Sequence, residues 1–178
     1  HDRCQGDYDY PTTPSESFPQ APFRGRGIVI GAGGEKYFSC AWAVAYFLRK
    51  HGCFLPIQFW YLGPEELDPE MEAAANSVGI QCVNARDYPQ PRILGGWELK
   101  PFAVIHCPFE EVLYLDADCL PTRDPSFLFD EDEYQRKGSI FWLDLPPMGS
   151  RVHWLPPEVW DLFGLHPSTG QDFESGQF

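Results

Sequence analysis

Gly27-Ile28-Val29-Ile30-Gly31-Ala32-Gly33-Gly34 is a short apolar run with β-branched residues that ends in a cluster of glycines. Such a run suits a strand buried on both faces, and the glycines suit a loop where backbone comes close to a neighbour or a ligand. Directly after it, Phe38, Ala41, Trp42, Ala45 and Leu48 recur at spacings of three and four. That spacing puts one apolar stripe on a helix, which Gly52 can end at its C′ position. Strand, glycine loop and helix in that order are the first unit of an α/β fold.

The alternation continues downstream. Residues 55–61 read as a second strand, Asp68 as the N-cap and Pro69 as the first residue of a helix closed near Gly79, and residues 80–83 as a third strand. After a Pro/Gly-rich loop, residues 97–107 read as a helix with Pro101 near its first turn. Val112-Leu113-Tyr114-Leu115 is a fourth strand, stopping at Asp116-Ala117-Asp118. The pattern predicts a mostly parallel sheet with helices on both faces, in which ligands bind beyond the carboxyl ends of the strands. Further on, Asp124 and Pro125 can cap a short helix through Phe129. Residues 139–142 read as a strand, 158–163 as a helical turn or two ended by Gly164, and the chain from Phe173 as a last strand. Upstream, Pro11, Pro14, Pro19 and Pro22 disfavour helix and central strand, so residues 1–24 read as a leader or linker and 25–178 as one domain.

With 178 residues, 43% hydrophobic and 16% aromatic, the chain is too apolar for a disordered tail. A net charge of -13 without a Lys/Arg cluster repels a phosphate backbone and argues against nucleic acid as a partner. An anionic substrate would therefore need a bound cation or a ring of backbone N–H groups. The cysteines (Cys4, Cys40, Cys53, Cys82, Cys107 and Cys119) have neither CxxC nor zinc-site spacing and read as mostly free, buried thiols, with a disulfide left open by their even number. No apolar run approaches the roughly 20 residues of a membrane span, and no signal-peptide pattern opens the chain. It starts at His1 rather than Met and stops at Phe178 inside an expected strand, which leaves room for an anchor or further subdomain at either end.

D-x-D alone is a weak signal, expected by chance roughly 0.6 times in a chain of this length. Asp7/Asp9 lies in the leader and Asp130/Asp132 in an acidic run, and both read as solvated charge. Asp116/Asp118 differs because it follows four apolar residues at the exit of a buried strand, where side chains two apart point to one side. Two carboxylates there can share one hard cation, Mn²⁺ or Mg²⁺, which keeps positions open for phosphate oxygens and water. The plainer alternative is that Asp116 caps the strand and Asp118 the following turn.

Gly31, Gly33 and Gly34 allow backbone to approach a donor molecule, and the helix after them favours anionic groups at its N-terminus. The second strand ends Trp60-Tyr61-Leu62-Gly63, without the acid a dinucleotide fold uses for ribose, so NAD is disfavoured. Lys36 and Lys100 are candidate diphosphate partners, with solvation as the alternative for each; Trp97 and Glu98 can pack or hydrogen-bond locally. Glu174 and Gln177 place a carboxylate and an amide around Gly176 and suit the lining of a sugar pocket. His153 and His166 lie in Pro-rich loops and read as structural. GxSxG, HExxH and Walker motifs are missing.

The chain resembles the alpha-mannosyltransferase family of fungal Golgi enzymes and their bacterial relatives. The resemblance rests on Gly25-Arg26-Gly27-Ile28-Val29-Ile30, Leu55-Pro56-Ile57 with Trp60-Tyr61, Gly96-Trp97-Glu98-Leu99-Lys100-Pro101, Val112 to Asp118, and Glu174-Ser175-Gly176-Gln177. It implies a GT-A fold lacking part of the acceptor-side subdomain. It also implies a nucleotide-diphosphate sugar donor, GDP-mannose ahead of a UDP-sugar, and transfer to a glycan or other hydroxyl acceptor with retained configuration. Carried over by position, Asp116 and Asp118 would bind Mn²⁺, the glycine loop the nucleotide, and Glu174 and Gln177 the sugar or acceptor. Fungal relatives imply a Golgi lumen and bacterial ones the cytoplasm. The competing readings are a sugar nucleotidyltransferase, although Glu35-Lys36-Tyr37-Phe38 is a poor match to its loop, and a non-catalytic sugar-nucleotide-binding domain.

Overall fold

A computed structural model describes residues 24–90 and 92–142. The strands are β1 (Arg26–Gly31), β2 (Ile57–Tyr61), β3 (Ile80–Asn84) and β4 (Glu111–Leu115), and the helices α1 (Gly34–Lys50), α2 (Pro69–Ser77), α3 (Leu99–His106) and α4 (Asp132–Lys137). The sheet runs β3-β2-β1-β4 with every neighbouring pair parallel. Ile28 is in register with Ile57 on one side and Leu113 on the other.

Alternation along β1 divides the core. Ile28 and Ile30 face one layer with Phe38, Ala41, Val44 and Leu48 of α1, whereas Val29 faces the other with Trp60, Tyr114 and α3's Leu99 and Ala103. Helices thus cover both faces, as the near-continuous apolar strands required. The expected stops are in place. His51 closes α1 with Gly52 beyond it at φ 87, and Val78 closes α2 with Gly79 beyond it at φ 76, both in the left-handed region that favours glycine. Asp68 caps α2 by accepting from the N–H groups of Glu70 and Met71, at 2.8 Å each. Among the described residues no helix is long and apolar enough to cross a membrane.

Several boundaries differ from the sequence reading. Strand β2 begins at Ile57; Pro56, which has no N–H to give, contributes only its carbonyl, to Ile28 N–H at 2.9 Å. The helix expected from Trp97 begins as one 3₁₀ turn, Gly96–Glu98, before α3. The acidic run at 130–132 is partly helical: Asp132 and Glu133 open α4, Arg136 and Lys137 close it, and Gly138 ends it at φ 75. The strand expected at 139–142 is not formed. Ile140 and Trp142 instead line a hollow against Val112, Leu128, Phe129 and Tyr134, so side-chain packing takes the place of a ladder. Cys53 and Cys107 are buried free thiols as expected, while Cys40 and Cys82 are free but only half-buried. The expected elements after residue 142, with His153 and His166, and residues 1–23 of the leader, with Cys4 and Asp7/Asp9, lie outside the described residues.

Candidate functional site

The chain goes from β1 outward through β2 to β3, then returns to place β4 on the other side of β1. Loops leaving β1 and β4 therefore diverge, and the crevice between them is where sheets of this kind take ligands. A cavity of about 330 Å³ occupies that place.

Its acidic end is the turn after β4. Asp116 accepts from Lys100 Nζ at Oδ2, 2.7 Å away, and from the Tyr114 hydroxyl at Oδ1, 3.1 Å away. Lys100 rises from the first turn of α3, and its side chain is only 12% exposed against 25% for Asp116. The ammonium also lies 5.0 Å from the centre of the Trp97 ring. Burial, and then the charge of Asp116, raise the pKa of Tyr114 well above the ordinary phenol value, so the hydroxyl stays a donor. Strand β4 stops at Leu115, and Cys119 N–H bonds back to the Asp116 carbonyl at 3.0 Å, forming a turn. Strand alternation accordingly does not extend through Asp116 and Asp118. The turn nevertheless leaves both acids in the cavity wall, with Asp118 exposed and Ala117 between them buried.

The opposite end is the glycine loop. A Cβ on Gly33 would overlap the Glu66 carboxylate, and one on Gly31 would come within 3.2 Å of the Tyr114 hydroxyl, so both positions need the space a side chain would fill. Ala32 N–H bonds the Trp60 carbonyl at 2.8 Å and Gly34 N–H the Glu66 carbonyl at 2.6 Å. Those two donors are committed inside the protein, and the loop offers close approach more than an amide ring. Gly31 and Gly33 line the cavity; Gly34, at φ 80, starts α1 behind them. Lys36 is exposed, outside the lining, with its ammonium 5.2 Å from the Tyr37 ring centre. Glu98 bonds locally, to Gly95 N–H at 2.7 Å and to Arg92. Glu174 and Gln177 fall outside the described residues.

Asp116, Asp118, Lys100, Gly31 and Gly33, spread over 88 positions of sequence, thus share one cavity. Tyr37, Leu62, Glu66 and Tyr114 also line it, and the sequence reading gave none of them a role there. Tyr114 carried a signal in hindsight, a phenol two residues before the first acid of the pair. Glu66 carried none that separates it from Glu65, which pairs with Arg86 on the surface.

Two carboxylates fit a hard divalent cation only if other oxygens complete the shell; among the described residues no cluster of three or more His, Cys, Asp or Glu could hold a metal. Diphosphate oxygens and water are the ligands that chemistry calls for.

Residues 25–161 match the model of the family described as "Mannosyltransferase putative". The chain belongs to this family. Among curated relatives, an alpha-1,2-mannosyltransferase of Candida albicans, MNN2, is 30% identical over 129 residues, covering 68% of the chain and 21% of the relative. A second from that organism, MNN24, is 30% identical over 135 residues, covering 74% and 19%. The MNN2 enzyme of Saccharomyces cerevisiae is 26% identical over 132 residues, covering 71% and 22%. The chain thus spans about a fifth of the length of these relatives. Among solved structures, the galactosyltransferase LgtC with donor and acceptor sugar analogues aligns at a TM-score of 0.51 and 18% identity, covering 84% of the chain and 56% of LgtC. At that identity the likeness is one of fold, and this mannosyltransferase-family chain has the GT-A arrangement.

Proposed function

We propose that this protein transfers a mannosyl group from a nucleotide-diphosphate donor, GDP-mannose in preference to a UDP-sugar, to a hydroxyl of a glycan or similar acceptor. The observation that carries the reading is the meeting of Asp116, Asp118 and Lys100 in one cavity at the carboxyl end of a parallel sheet. Family membership and the names of the relatives support the transferred sugar.

Asp116 and Asp118 would hold Mn²⁺ or Mg²⁺, which when bound supplies Lewis-acid stabilisation of the departing diphosphate. Lys100, already at the lip of the acidic end, adds a second positive charge and three N–H donors that can turn from Asp116 toward phosphate oxygens. Tyr114 holds the other oxygen of Asp116, fixing the carboxylate while Lys100 moves. The glycine loop lets the donor lie against backbone. Glu174 and Gln177 are proposed to face the sugar and acceptor. Transfer with retention places the acceptor hydroxyl on the same face as the leaving group, a geometry that asks for positioning more than for a side-chain base.

The test is calorimetric titration of the whole protein with GDP-mannose, with and without Mn²⁺, in wild type and Asp116→Asn. Binding should depend on Mn²⁺ in the wild type and lose that dependence in the variant. Metal-independent binding that is the same in both proteins would overturn the assignment.

A further inference from the structure

Glu66 is a cavity-lining carboxylate away from the Lys100–Asp116 pair. It is half-buried, and its Oε2 accepts Leu62 N–H at 2.6 Å. Among the described residues no basic side chain pairs with it. A carboxylate accepts about four hydrogen bonds, so most of its capacity is unspent. An anion would be repelled there, which sends a diphosphate to the Lys100 end.

We infer that Glu66 reads the base of the donor nucleotide through a pair of adjacent N–H donors, as guanine presents. The inference rests on the donor reading above and names the residue that would choose the base. Glu66 follows β2 and Asp116 follows β4, on either side of β1. Two strand spacings put those exits about 10 Å apart, a separation that a nucleoside bridges between its diphosphate and its base. Tyr37 and Trp97, 52% and 80% exposed, line the same cavity and offer aromatic faces that a base can cover. The chemistry of the acceptor then selects. Guanine N1–H and its 2-amino group match the two oxygens of a carboxylate. Uracil sets its one N–H between two carbonyls, which a carboxylate repels.

Calorimetry with the whole protein and Mn²⁺ would compare GDP, inosine diphosphate, 2′-deoxy-GDP and UDP, in wild type and Glu66→Gln. The glutamine keeps an acceptor for Leu62 N–H, and a thermal melt checks folding. Wild type should bind GDP about 10- to 100-fold more tightly than UDP, and inosine diphosphate, which lacks the amino group, about tenfold more weakly than GDP. Glu66→Gln should close most of the GDP/UDP gap. A folded Glu66→Gln protein with the gap intact would overturn the inference, as would a loss with 2′-deoxy-GDP in place of inosine diphosphate, which points to ribose. Should the variant not fold, the inosine comparison on wild type decides alone. Mn²⁺-dependent binding without base preference sinks only the role of Glu66; no nucleotide binding at all sinks the donor reading and this inference together.

Discussion

Lys100 donates to Asp116 across 2.7 Å, so the carboxylate proposed to grip a cation is already neutralised by the protein's own ammonium. A metal ion held there, as proposed, would compete with the lysine for one oxygen. A diphosphate would relieve the contest by giving Lys100 another anion to face.

Lys100→Met should therefore have opposite effects on the two ligands. Affinity for Mn²⁺ alone is expected to rise about tenfold, while affinity for a nucleoside diphosphate at saturating Mn²⁺ falls about tenfold, the scale of one charge-assisted hydrogen bond. Separate titrations with each ligand check this. A fall in both would mean that Lys100 only holds Asp116 in place.

The two aspartates should separate in stability. Asp116→Asn removes the carboxylate charge from the ion pair with the largely buried Lys100 and is expected to cost about 1–3 kcal/mol in urea unfolding. Asp118 is exposed and outside that pair, so Asp118→Asn should stay within about 0.5 kcal/mol. Mn²⁺ with GDP is expected to raise the melting temperature of the wild type, and both variants should lose that shift.

A side-chain hydrogen-bond ladder runs from the buried Trp60 and Gln58 of β2 to Gln81 of β3. Trp60 Nε1 donates to Gln58 Oε1 at 3.0 Å, and Gln58 Nε2 donates to Gln81 Oε1 at 2.7 Å, with Gln58 itself only 3% exposed. Gln58→Leu would leave the indole N–H of a fully buried Trp60 unsatisfied, a cost of about 1–3 kcal/mol. Gln81 is exposed and water can replace its bond, so Gln81→Leu should cost less. Urea midpoints of the two variants test the order.

Cys82 supplies a pH signature. Burial, and then the charge of Glu72, push its thiol from the ordinary 9.0 up to about 11. The folded state thus binds this proton more tightly than the unfolded state. Its contribution to stability is whole below about pH 9 and is lost as pH rises toward 11. Cys82→Ser should flatten that part of the urea-midpoint profile. Alkylation of Cys82 at pH 8 should run about 100-fold slower than that of a free peptide thiol, by mass spectrometry of the labelled peptide.

The fold was legible because its signals are local. The stripe from Phe38 to Leu48, the Asp68 cap, and Gly52 and Gly79 at the helix ends each act within a few residues of themselves. The misread elements are those where local and tertiary preferences disagree. Ile140 and Trp142 look like strand residues yet serve as packing against Phe129 and Tyr134, whereas the acids at 130–132 are exposed as their solvated reading expects, with Asp132 also opening α4. Within the site, Asp116 and Asp118 stood out through the apolar strand ahead of them, whereas Glu66 looked like any other acid in a polar loop.

By itself the sequence determined the order of strands and helices and the position of two acids at a strand's end, because hydrophobic period and turn chemistry are written along the chain. Only the tertiary structure decided that Lys100 neutralises Asp116, that Glu66 lies against Gly33, and that a turn rather than a strand presents the aspartate pair. These contacts join side chains brought together by the placing of β4 beside β1, and no spacing along the chain encodes where a side chain points once the backbone has turned.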